Sequence, residues 1–122
     1  MKKVVWLLLA LFAHASAQAD GDSKAGQALF TKYCGGCHKI GPNAQAAFGP
    51  QLTGIIGRPA GHTTDYKYSS EMLNSGIVWD REKLSAFIQD PSDVVDGTKM
   101  RFWGISDKQK IEDLLAYLAM FP

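Results

Sequence analysis

The stretch Cys34-Gly35-Gly36-Cys37-His38 carries the most specific chemistry in this sequence. Two thiols separated by two residues can reach the vinyl groups on one edge of a porphyrin, and a histidine directly after them can turn beneath the ring to reach its iron. This spacing is the pattern of covalent haem c attachment. The motif therefore predicts thioether bonds from Cys34 and Cys37 to one haem c, with His38 as the first iron ligand.

Other uses of a CxxC pair receive less support from the surrounding sequence. A thioredoxin-like redox pair would follow a strand in a βαβ unit, whereas a helical pattern precedes Cys34. A structural zinc site would need a second cluster of ligands, and beyond residue 19 the only other histidine is His62. A structural disulfide would close a very small loop and would leave the position of His38 to chance.

The N-terminal residues have the pattern of a secretory leader. Met1-Lys2-Lys3 is positively charged, and an apolar run follows over residues 4–13 before several small-residue cleavage patterns. This run is well short of the roughly 20 residues that span a membrane. We predict a signal peptide over residues 1–19, cleaved near residues 17–19. Residues 20–122 are then expected to be periplasmic, monomeric and without a stable membrane anchor.

Length and charge narrow the possible functions of the processed chain. A chain of 122 residues has room for one small domain. Removal of residues 1–19 takes away two lysines and no acid, which leaves 11 basic against 12 acidic residues. No basic stripe with interleaved aromatic residues is present, so nucleic acid is not expected as a partner. The many aromatic residues, Phe48 and Trp103 among them, are expected to pack around a bound cofactor.

Helical patterns separated by loops predict an all-α fold. Glycine and proline interrupt residues 35–61 and 91–104, which we predict to be ordered loops. Helices are predicted over residues 24–32 with a cap at Asp22 or Ser23, 69–74 closed by Gly76, 80–89 with a Trp79–Leu84 staple, and from a Ser106–Gln109 capping box to about Met120.

Motifs along almost the whole processed chain resemble the mitochondrial and bacterial cytochrome c family. Gly26 and Phe30 with Tyr117 are similar to that family's contact between its first and last helices. The segments that match in order and approximate spacing are Cys34–His38, Gly49-Pro50-Gln51-Leu52, Gly57-Arg58, Trp79 and Gly97-Thr98-Lys99-Met100-Arg101-Phe102. The resemblance implies a small cytochrome c fold of three to five helices, with long loops wrapped around the haem.

The resemblance also implies roles for residues outside the CxxCH motif. The Pro50 carbonyl would accept a hydrogen bond from the His38 ring, which fixes the tautomer and raises ligand basicity. Arg58 and Trp79 would donate hydrogen bonds to the haem propionates, with Tyr68 as a further donor. Phe102, close to Met100 in the sequence, is also expected to contact the cofactor.

Four residues are candidates for the second iron ligand: Met72, Met100, Met120 and His62. Met72 lies in a short helical stretch, Met120 lies at the chain end, and His62 lies in a polar loop. Met100 belongs to a loop between Pro91 and Gly104, which can bring a thioether over the ring without bending a helix. With the resemblance of Gly97–Phe102, this favours Met100.

Ligation by both His38 and Met100 would leave no open position on the iron and would restrict it to electron transfer. The expected partners are a cytochrome reductase, an oxidase or a periplasmic dehydrogenase. One alternative is a dedicated acceptor or subunit of one such dehydrogenase. Another is a haem enzyme, such as a peroxidase or a gas sensor, which would require Met100 to be displaced. We also expect the loop around Ala46, Ala47 and Phe48 to supply an apolar docking patch.

Two departures from the mitochondrial pattern bear on the partner and on the reduction potential. The basic residues that the family clusters at the haem edge are mostly absent, and mainly Lys99 remains. Phe87 stands where mitochondrial relatives usually have a tyrosine whose hydroxyl resembles a donor to the ligand sulfur. Docking should therefore depend weakly on salt, and the Met100 sulfur should lack one hydrogen bond.

Overall fold

The structure, a computed structural model, describes residues 21–122 and contains five helices within that range. They are α1 (Ser23–Tyr33), α2 (Ser70–Leu73), α3 (Arg81–Gln89), α4 (Pro91–Val94) and α5 (Lys108–Leu118). Those residues form no strand beyond an isolated bridge between Pro59 and Val78. The predicted signal peptide, residues 1–19, lies outside the described residues. Within residues 21–122, no helix has the length and apolar character needed to cross a membrane.

The packing of α1 against α5 organises the fold. A side chain at Gly26 would overlap the carbonyl oxygen of Asp113, so the two backbones approach as closely as glycine permits. Phe30 and Tyr117 pack with ring centroids 5.4 Å apart. The Asp22 amide donates to Asp113 Oδ1 at 2.8 Å, and this bond lowers the pKa of the Asp113 carboxyl. The predicted contact between the first and last helices is confirmed.

Local capping residues set most helix ends. Asp22 caps α1 by accepting from the amides of Lys24 and Ala25, and Asp80 caps α3 by accepting from the amide of Lys83. Ser69 does the same for α2, which is shorter than the predicted helix. The predicted positions of α1, α2 and α3 are confirmed to within about two residues.

Two predictions about the C-terminal half were wrong. Residues 91–94 form α4 and not a loop, because Asp90 caps the turn and Pro91, at its first position, needs no backbone donor. Helix α5 begins at Lys108, and its cap is Asp107, whose carboxylate accepts from the amides of Gln109 and Lys110. The expected capping box of Ser106 with Gln109 does not form.

The core lies where α5 meets α1, α3 and the loops. Ile111, Leu114 and Leu115 are almost completely buried, and the predicted staple residues Trp79 and Leu84 are both buried beside them. The expectation that the aromatic residues pack around a bound cofactor was wrong for Trp103, which is fully exposed and does not line the main cavity of residues 21–122. Phe48 is 86% exposed but does line that cavity.

Candidate haem site

One cavity, with a volume of about 350 Å³, collects every site residue that the sequence predicts. Such a volume is in the range of small-molecule and cofactor pockets. Its wall is mainly apolar and is formed by residues of α1, α2, α3 and α5 together with the loops that join α1 to α2, α2 to α3 and α4 to α5. The predicted residues that line it are Cys34, Cys37, His38, Pro50, Arg58, Tyr68, Trp79, Met100 and Phe102.

The CxxCH segment continues directly from the last turn of α1. The Cys34 amide donates to the Phe30 carbonyl at 2.8 Å, and the amides of Cys37 and His38 both donate to the Cys34 carbonyl, at 3.0 and 2.9 Å. These bonds fold the segment into a tight turn. Cys34 is half-buried and Cys37 is exposed, and both are free thiols that line the same cavity.

The setting of the two thiols suits thioethers better than the other CxxC chemistries. Burial, with a smaller effect from Cys37, raises the pKa of Cys34 to about 11, which disfavours the thiolate that a zinc ion would require. A thioether has no charge, so its burial incurs no such cost. Cys34 follows α1 and not a strand. Among residues 21–122, no three His, Cys, Asp or Glu side chains are arranged so that they could hold a metal ion.

The His38 ring is fixed by the loop that contains Pro50. His38 Nδ1 lies 2.7 Å from the Pro50 carbonyl oxygen, which can only accept, so Nδ1 carries the proton. The other ring nitrogen, Nε2, then has a lone pair available for a metal. Burial lowers the pKa of His38, although the bond to Pro50 opposes this effect. The imidazole is therefore held neutral and in the tautomer that a metal ligand needs.

Gly49 allows this loop to lie against the His38 ring. A Cβ atom at position 49 would lie 2.5 Å from His38 Cε1 and 2.9 Å from Nδ1. Such contacts are too short for any other residue type without displacement of the ring. The Gly49 amide donates to the Cys37 carbonyl at 2.9 Å, which ties the loop to the CxxCH segment.

The side chains of Arg58, Tyr68 and Trp79 each carry a hydrogen-bond donor, and all three line the cavity. Backbone bonds join Arg58 to Trp79, because the Trp79 amide donates to the Arg58 carbonyl at 3.0 Å. The Arg58 guanidinium donates to the carbonyls of Gln51 and Thr53, which uses two of its five N–H groups. The Tyr68 hydroxyl forms a short hydrogen bond with the Thr63 hydroxyl.

The candidates for the second ligand fall into two groups. Met72 and Met100 both line the cavity, whereas Met120 and His62 do not. Met72 is buried in α2 and belongs to the core cluster. Met100 is half-buried on the loop that follows α4, and its amide donates to the Thr98 hydroxyl at 3.3 Å.

Sequence reasoning missed several residues of this wall. The sequence predicts no role for Gly49 beyond its membership of the Gly49–Leu52 motif. Its position beside Pro50 is nevertheless a signal for the close approach to His38. Tyr66 also lines the cavity and packs edge-on against Tyr68, with ring centroids 4.9 Å apart. Met72 was considered only as a candidate ligand, and its place in the apolar wall depends on how α2 lies across the cavity.

Comparisons with known proteins agree with this geometry. The family model described as Cytochrome c matches residues 23–120. The chain belongs to the cytochrome c family. It is 41% identical over 121 residues to a cytochrome c2 from Blastochloris viridis, which covers 99% of this chain and 94% of that relative. It is 42% identical over 101 residues to a cytochrome c-550 from Nitrobacter winogradskyi, which covers 83% and 92% respectively.

A solved structure supports the same family and the same fold. Cytochrome cH from Methylobacterium extorquens superposes with a TM-score of 0.76 at 40% identity, covering 82% of this chain and 99% of that one. The predicted all-α cytochrome c fold is confirmed. Haem c with its iron is the covalent cofactor of this family, and CxxCH, the neutral His38 ring and the apolar cavity fit it.

Proposed function

We propose that this cytochrome c carries single electrons between larger redox proteins in the periplasm, with His38 and Met100 as the two iron ligands. The observation that carries the proposal is that His38 and Met100, 62 positions apart in the sequence, line one mainly apolar cavity with both CxxC thiols. When bound there, the haem supplies a one-electron Fe(III)/Fe(II) couple.

Different residues of the cavity hold different parts of the cofactor. Cys34 and Cys37 form the thioethers, and His38 and Met100 provide one nitrogen and one sulfur ligand. Arg58, Tyr68 and Trp79 donate hydrogen bonds to the propionates. This role is supported by the N–H groups of Arg58 that the protein leaves unused. The Trp79 indole N–H, likewise, has no acceptor among residues 21–122.

The surroundings of the two ligands favour electron transfer over substrate chemistry. A thioether ligand stabilises the ferrous state and raises the reduction potential. Phe87, Met72 and Leu84 are buried apolar residues of the cavity wall, and they keep water away from the ligands. With His38 and Met100 both bound to the iron, no position would be open for oxygen or peroxide. We therefore propose a carrier and not an enzyme, and the leader-like pattern of residues 1–19 supports its export.

Redox titration of the purified holoprotein tests this function. We expect ascorbate to reduce it and ferricyanide to oxidise it fully and reversibly, with one electron per chain. The ferrous protein should not bind carbon monoxide at neutral pH, because Met100 occupies the site. Rapid carbon monoxide binding together with turnover of hydrogen peroxide would instead support a haem enzyme.

A further inference from the structure

The two most exposed apolar side chains of the described residues, Trp103 and Phe48, belong to segments that form the cavity wall. Phe48 and Tyr33 are exposed and also line the cavity, and Trp103 directly follows the lining residue Phe102. Of the six large exposed apolar residues among positions 21–122, these three form what we call the rim. Trp103 itself does not line the cavity, and neither do Leu73, Val78 and Met120, which are all less exposed than Trp103 and Phe48. Trp103 is fully exposed, although tryptophan has one of the largest apolar surfaces of any side chain.

The backbone around Trp103 holds the indole in this exposed position. A side chain at Gly104 would overlap the Gln89 carbonyl oxygen, and Gly104 has a φ of +94° that favours glycine. The next amide, of buried Ile105, donates to the Ile88 carbonyl at 3.0 Å. On the other side, Phe102 packs edge-on against Tyr33 with ring centroids 6.4 Å apart. The residues on both sides of Trp103 are thus held in place, but the Trp103 side chain stays fully exposed.

The charged side chains on the cavity wall near Trp103 are positive. The charged side chains that line the cavity are Arg58, Lys99 and Arg101, and no carboxylate lines it. Lys99 and Arg101 are both exposed and lie within four residues of Trp103. The Lys99 ammonium donates to the Lys67 carbonyl at 2.6 Å, which fixes its position on the wall. A surface that accepts the rim would complement it with an apolar pocket edged by carboxylates.

We propose that Trp103 is the anchor by which this protein docks on its redox partner, a protein with an indole-sized apolar pocket bordered by acidic residues. The proposal rests on the proposed electron-carrier function and names the contact that this function uses. Electron-transfer complexes have small interfaces, so a single buried tryptophan can supply much of their binding energy. Phe48, one of the rim residues, directly precedes Gly49, whose amide donates to the carbonyl of the exposed Cys37.

The rate of electron exchange with native partners tests this anchor. In one assay, reduced holoprotein is mixed with isolated membranes of the source organism. In the other, ferric holoprotein is mixed with the periplasmic extract of the same organism, to which substrate is added. We expect Trp103→Ala to lower the second-order rate with the partner by about tenfold or more, and Trp103→Phe to recover part of it. Met120→Ala is the matched control, since Met120 is 60% exposed and lies outside the cavity wall. It should change the rate less than twofold.

The reaction with ferricyanide tests the carrier function independently of the Trp103 anchor. All variants should react with ferricyanide as the wild type does and should melt at the same temperature, because Trp103 packs against nothing. Equal partner rates for wild type and Trp103→Ala would overturn the anchor, as would an equal loss in Met120→Ala. A wild-type protein that cycles with ferricyanide but exchanges with neither preparation would also overturn it. Failure to cycle with ferricyanide would contradict the carrier function itself.

Discussion

His38 and Met100 line the same cavity, but the segments that carry them are held in different ways. The His38 segment is fixed by the bond from Nδ1 to the Pro50 carbonyl and by the contact with Gly49. It is also tied to the following loop by the Leu52 amide, which donates to the Lys39 carbonyl at 2.8 Å. The protein's own contacts thus fix the orientation of the His38 ring.

On the Met100 loop, the hydrogen bonds are made by the backbone and by neighbouring residues, and none within residues 21–122 is made by the Met100 side chain. The Met100 amide donates to the Thr98 hydroxyl, the Lys99 ammonium donates to the Lys67 carbonyl, and the Ile105 amide, five residues beyond Met100, donates to the Ile88 carbonyl. Segments with few long-range contacts open at the lowest free-energy cost. The comparison indicates that the histidine side is preformed, whereas the methionine side depends on its bond to iron and should open first.

The largest expected effect comes from removing the ligand on the methionine side. Met100→Ala should abolish the far-red charge-transfer band of the ferric protein, allow cyanide to bind and raise peroxidase activity. Met72→Ala is the matched control, because Met72 lies in the same cavity but is buried in the core. It should retain the band while losing about 2–5 kcal/mol of stability. Loss of the band in Met72→Ala, with retention in Met100→Ala, would reverse the assignment.

A smaller effect is expected on the histidine side from Gly49→Ala. The added methyl group would collide with the His38 ring, so we expect a loss of about 1–3 kcal/mol in the free energy of unfolding. Gly36→Ala is the control, since a Cβ there meets no atom within 4 Å. Denaturant unfolding of both holoproteins measures the difference. Equal stabilities would show that the loop has room to move away from the ring.

The elements set by neighbouring residues were the ones that the sequence could predict. Asp22 and Asp80 are strong caps before clear apolar patterns, and α1 and α3 begin where those residues stand. Helix α4 was missed because Pro91 was interpreted as the start of a loop, although Asp90 followed by proline is also a helix start. At α5, Ser106 and Asp107 compete as adjacent caps, and only the folded backbone shows that Asp107 is used.

The site residues named by a motif or a family resemblance all line the cavity, whereas the sequence carries no signal for residues placed there by long-range packing. Cys34 and His38 come from a local spacing. Met72 enters the cavity only because α2 lies across it. The exposure of Trp103 also lacks a local signal, since composition favours a buried tryptophan and the position of Gly104 against α3 turns it outward.

The substitution Phe87→Tyr should have a smaller effect on the methionine side than Met100→Ala, because it changes the reduction potential without removing the ligand. Phe87 is buried in the cavity wall and packs on Trp79 with ring centroids 4.9 Å apart. A hydroxyl that donates to the Met100 sulfur would withdraw electron density and raise the reduction potential. A bond of about 1 kcal/mol corresponds to roughly 40 mV for one electron.

Voltammetry and thermal melts distinguish the outcomes for Phe87→Tyr. A raised potential with stability retained supports the arrangement, whereas an unchanged or lower potential would place Phe87 away from the sulfur. A hydroxyl without an acceptor would instead destabilise the protein by about 1–3 kcal/mol.

The smallest effect is expected from salt on the rate with the native partner. Residues 20–122 carry 11 basic and 12 acidic residues and are nearly neutral, and Lys99 and Arg101 are the exposed charges that line the cavity. Strong steering changes association rates by about 10 to 10³-fold, so we expect a change of about threefold at most between low and physiological salt. A steep fall would show that charge and not the Trp103 contact controls docking.

Visible spectroscopy of the purified ferric holoprotein, followed by extraction with acidified acetone, tests the central claim most directly. The account predicts a low-spin spectrum with a methionine-to-iron band in the far red, and haem that stays with the protein because Cys34 and Cys37 hold it covalently. Haem that passes into the acetone, or a ferric spectrum without the far-red band, would contradict the assignment of Cys34, Cys37, His38 and Met100.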